Sequence, residues 1–71
     1  MNWIGKLRAV IHLKRLLASR GIMQSWASEK LDISPAYLSL LLNGKRRLTS
    51  ELCRDFNLLS KHIKGEQRDD A

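Results

Sequence analysis

Cysteine, proline and aromatic residues are scarce in this chain. Its 71 residues include one Cys, one Pro, one Tyr, one Phe and two Trp. A lone cysteine, Cys53, forms no internal disulfide, and His12 and His62 do not complete a zinc set with it. Placed between Leu52 and Phe56, it reads as a buried structural thiol. No apolar run approaches the ~20 residues that a membrane span needs. Lys6, Arg8, Lys14 and Arg15 interrupt the N-terminal apolar residues where a signal peptide is continuous, so a cytoplasmic protein with no membrane partner is expected. The chain also lacks paired carboxylates in a plausible pocket, a glycine-rich phosphate loop and a His/Cys/acid set. An enzyme is therefore the weakest expectation, and no metal or other cofactor is expected.

Negative charge is sparse too. Seven Asp and Glu stand against thirteen Lys and Arg, a formal net of +6. The last six residues, EQRDDA, hold three of those anions and one cation, so residues 1–65 carry twelve cations and four anions, a net of +8. A small domain with that excess has a polyanionic partner as its first expectation, nucleic acid before an anionic membrane. At this length the chain is one small domain with a modest core, expected over residues 1–64 with a polar tail from 65 to 71.

No stretch alternates apolar and polar residues as a strand would, and Pro35 with Gly5, Gly21, Gly44 and Gly65 divides the chain into helices. The expected fold is all-α, a compact bundle of four to five helices with long first and last members. Asn2 suits the cap of a first helix running to about Ser19 or Arg20, with Gly21 closing it. On this helix Leu13, Leu16 and Leu17 share one side, Trp3, Ile4, Leu7 and Ile11 cluster about a third of a turn away, and Val10 bridges them. Either the last helix folds back over the second set or that set is a dimer contact. A second helix is expected from Gln24 to about Leu31, burying Ala27 and Leu31. Gln24 and Ser25, with free backbone N–H groups in its first turn, suit a phosphate. Asp32 tolerates a left-handed turn, Ile33 plugs the space between helices, and Ser34 caps the next helix with Pro35 at its favoured first position.

The third helix is expected from Pro35 to Asn43. Leu38, Leu41 and Leu42 share the core side, which turns Ala36, Ser39, Leu40 and Asn43 outward. That outward face has no charge, which suits close approach to base edges in a major groove. Tyr37 lies on the flank with its hydroxyl within reach of a phosphate. Lys45, Arg46 and Arg47 follow Gly44. Three adjacent cations do complement a helix C-terminus, but beside an uncharged helix face they favour phosphate contacts. Thr49 or Ser50 then caps a last helix over about 50 to 64, with a core stripe of Leu52, Cys53, Phe56, Leu59 and Ile63; Leu58 falls off the stripe and hints at a partner surface.

Taken in register, these residues resemble the helix–turn–helix DNA-binding domains of the Cro and lambda-repressor type. The resemblance covers about Leu13 to Phe56, with the helix–turn–helix at 24–43. It rests on Gly21, Gln24, Leu31, Ile33, Ser34, Tyr37-Leu38-Ser39 and Asn43-Gly44-Lys45-Arg46. It implies that the third helix is a recognition helix presenting Pro35, Ala36, Ser39 and Leu40 to bases. Gln24 would then bridge to a phosphate, Asn43, Lys45 and Arg46 would hold the DNA backbone, and Arg46 would also reach toward a base edge. Several positions depart from the family. Ser28 stands where alanine is usual and Ala27 where leucine is usual, with Trp26 beside them to supply volume. Asp32 replaces the common glycine, and Pro35 and Leu40 replace amide side chains. Readout would lean on thymine methyl contacts, Ser39, Arg46 and DNA shape.

The expected function is sequence-specific transcriptional regulation, by a dimeric repressor that occludes a promoter. The resemblance extends to small phage-type regulators controlled by their own concentration. Double-stranded DNA and a second copy are the expected partners, with Trp3, Ile4, Leu7, Ile11 and Leu58 as contact residues. The alternative, from another class, is an antitoxin or similar interaction module that holds a partner protein on the same apolar residues.

Overall fold

In the computed structural model the chain is all-helical; it describes residues 3–68, with side chains for residues 4–65. Four helices follow one another: α1 (Trp3–Ser19), α2 (Gln24–Leu31), α3 (Pro35–Leu42) and α4 (Ser50–Arg68). The expected cap at Asn2, the Trp3 side chain and the tail at 69–71 lie outside the described residues.

Local chemistry accounts for most of the boundaries. Each of the first three helices ends in a left-handed residue, at Gly21 (φ 66°), Asp32 (φ 60°) and Gly44 (φ 75°). Each end repeats the same pair of backbone bonds. The Ile22 N–H donates to the Leu17 carbonyl at 2.9 Å, Ile33 to Ser28 at 3.0 Å and Lys45 to Leu40 at 2.8 Å, while Gly21, Asp32 and Gly44 donate to Ala18, Glu29 and Leu41. These bonds satisfy carbonyls that a helix C-terminus otherwise leaves open. Ser34 caps α3, its hydroxyl accepting from the Tyr37 N–H at 3.1 Å with Pro35 behind it. Thr49 rather than Ser50 caps α4, its hydroxyl accepting from the Leu52 N–H at 3.1 Å.

Two boundaries differ from expectation. The third helix stops at Leu42, with Asn43 as its cap residue at φ −95°, ψ 7°. The last helix does not stop at 64: it continues through Gly65 to Arg68. Gly65 is not among the positive-φ glycines, and Glu66, Gln67 and Arg68 beyond it are good helix formers, so the glycine weakens the helix without ending it.

Phe56, Leu13, Leu38 and Leu41 are the largest fully buried apolar side chains, and α1, α3 and α4 meet around them. Leu17 and Ala9 from α1, Ala27 and Leu31 from α2, Leu42 from α3, and Leu59 and Ile63 from α4 complete one core. Ile33 and Trp26 pack against it half-buried, and Leu48 anchors the end of the basic loop within it. Cys53 is half-buried, not buried as expected, because it sits at the margin of the α4 stripe where an open groove against α1 begins. The folding-back reading of α4 also fails. The two long helices pack together, but Ile4, Leu7 and Ile11 remain in solvent because they lie opposite Leu13 on α1.

Candidate nucleic-acid interface

The outward face of α3 follows from its buried face. With Leu38, Leu41 and Leu42 nearly inaccessible, Pro35 and Ala36 are exposed, Ser39 is half-exposed and Leu40 is 36% exposed. No charged side chain occurs from Ser34 to Gly44. A side-chain hydrogen bond within the described face joins two expected site residues. The Asn43 amide donates to the Ser39 hydroxyl at 3.4 Å, a long bond that leaves the Ser39 proton able to donate elsewhere. Tyr37 is half-buried against the core and keeps its flank position.

At the C-terminal end of this face Lys45, Arg46 and Arg47 are all exposed, and among the described residues none of them makes an ion pair. The turn that carries them is held at both ends, by the bonds of Gly44 and Lys45 to α3 and by the buried Leu48. The cations are therefore exposed side chains on a backbone tied at both ends.

The start of α2 supplies a different group. Its cap residue, Met23, is 71% exposed and makes no side-chain cap bond, so no capping oxygen competes for the first-turn N–H groups at Gln24 and Ser25. Both residues are exposed, and α2 packs directly on α3 through the Asp32-Ile33-Ser34 corner. The departures around that corner are accommodated. Ser28, 1% exposed, turns its hydroxyl back to the Ser25 carbonyl at 2.8 Å, so it fits among apolar neighbours. Lys30 lies 5.5 Å over the Trp26 ring, which draws this cation toward α2 itself.

The expected contact residues outside the corner are placed separately. Ile4, Leu7 and Ile11 form an exposed row on α1, and Leu58 is 57% exposed on α4. Arg8, Lys14 and Arg15, expected from the sequence only as interruptions of the apolar residues, lie exposed beside that row. Their helical angles carried the signal, had charge been read together with exposure. Among the described residues no helix is long and apolar enough to cross a membrane. Compared with models of known protein families, with curated proteins and with solved structures, the chain shows no significant match.

Proposed function

We propose that this chain is a sequence-specific DNA-binding transcriptional regulator of the Cro and lambda-repressor type, with α2 and α3 as its helix–turn–helix. One observation carries the reading: an uncharged, small-residue face on α3 ends at three exposed cations held on a fixed turn. In a major groove the face admits close approach to base edges through Pro35, Ala36, Ser39 and Leu40, and the cations meet the flanking phosphates. Gln24 and Ser25, at the uncapped start of α2, hold a further phosphate, as do Asn43 and the Tyr37 hydroxyl. Arg46 reaches toward a base edge from its place in the loop.

Such a protein acts in the cytoplasm as a repressor, by covering a promoter. Two copies occupy half-sites about one helical turn apart, since one short helix reads too few bases for selectivity. Leu58 on the outer side of α4 offers an apolar contact between the copies.

Selection of bound sites from a random double-stranded DNA library tests the reading. A palindromic motif with half-sites about 10 base pairs apart is the expected result. No enrichment at moderate salt would reject it. Ser39→Glu, placed outside the core, should abolish enrichment and leave the helical content unchanged; a variant that selects the parental motif would show that α3 is not the reading helix.

A further inference from the structure

The outward side of α1 carries an exposed apolar row. Ile4, Leu7 and Ile11 are 58%, 50% and 43% exposed. Their spacing, three residues and then four, is that of successive a, d and a positions of a heptad, the pattern along which one helix accepts another. In the same register Arg8 and Arg15 fall on the two e positions and Lys14 on the next d, and all three are exposed. The g positions, Val10 and Leu17, turn into the domain. An incoming helix therefore finds room on the a, d and e side, where every charge is positive, because α1 contains no Asp or Glu.

This charge pattern discriminates among occupants. A second copy laid parallel would set Lys14 against Lys14 within the seam, and one laid antiparallel would set Arg8 beside the other copy's Arg15. A lipid surface fits poorly as well. At about 100° per residue Lys14 falls inside the arc that Trp3, Ile4, Leu7 and Ile11 define on α1, and Arg15 and Arg8 border its other edge, so no uninterrupted apolar stripe about 100° wide is presented.

We propose that the outer face of α1 docks an amphipathic helix of another protein, one with a Leu- or Ile-rich seam flanked by Glu or Asp facing Arg8, Lys14 and Arg15. The proposal is independent of DNA binding: none of its residues belongs to the outward face of α3, the turn after it or the start of α2.

The full chain can be titrated with two synthetic three-heptad peptides that carry Leu at a and d, one with Glu and the other with Lys at e and g. Binding of the acidic peptide about tenfold tighter than the basic one is expected. Leu7→Glu should remove it. The double variant R8E/R15E, whose substitutions sit in solvent, should invert the preference, with circular dichroism confirming its fold. Equal binding of both peptides, or binding of neither, would overturn the proposal. So would self-association in sedimentation that Leu7→Glu abolishes, which would give the seam to a second copy. Binding to phosphatidylglycerol vesicles that is lost with Leu7→Glu would assign it to a membrane instead.

Discussion

Two serines are buried in this core, and they differ in how their hydroxyls are served. Ser28 donates to the Ser25 carbonyl one turn back, whereas the Ser60 hydroxyl, in a residue 3% exposed, has no hydrogen-bond partner in the structure. A buried hydroxyl without a partner keeps its desolvation penalty and returns nothing for it. Ser60→Ala should therefore raise the unfolding free energy by about 1 kcal/mol, while Ser28→Ala should have a smaller effect of opposite sign. Urea denaturation of both variants measures the difference. A loss of stability in Ser60→Ala equal to that in Ser28→Ala would mean that the Ser60 hydroxyl is satisfied after all.

At the scale of elements, the corner between α2 and α3 depends on two residues acting in sequence. Asp32 turns the chain left-handed, and Ser34 then holds the Tyr37 N–H and starts α3. Ser34→Ala should cost about 1 kcal/mol and loosen the start of α3, visible as faster amide exchange at Tyr37 and Leu38. Unchanged exchange there would show that Pro35 alone suffices to begin the helix. This corner was legible in the sequence because every residue in it has a local preference for the conformation it adopts. The outward set of α3 was legible for a related reason: three leucines on one side leave one solution for the other. The end of α4 was not legible, since Gly65 is the same residue type as Gly21 and Gly44 but adopts no left-handed conformation. Periodicity likewise showed that Ile4, Leu7 and Ile11 share a side of α1. Whether α4 would cover that side depends on how two helices cross, which no local preference encodes. Ser60 is outside the apolar stripe expected for α4, yet its angle on the helix, beside Cys53, places it inside.

For the whole molecule, the excess of positive charge is distributed over surfaces with different expected uses. Arg8, Lys14 and Arg15 border the α1 seam, Lys45, Arg46 and Arg47 end the α3 face, and Arg54, Lys61 and Lys64 line the open groove between α4 and His12 of α1. Net charge alone would make these cations interchangeable in binding DNA, because a diffuse field responds to their sum. Contact with the backbone is different, since each neutralised phosphate releases its own counterion and contributes to the slope of log affinity against log salt. Arg46→Ala should accordingly flatten that slope by about 0.9, whereas Lys61→Ala, an identical change of net charge in the α4 groove, should leave it nearly unaltered. Titrations of one DNA duplex at several salt concentrations compare the two directly. Equal flattening by both variants would mean that binding follows overall charge and that the turn after α3 has no privileged place on the DNA. A change confined to Arg46→Ala would tie the affinity to the one surface where the cations adjoin an uncharged helix face.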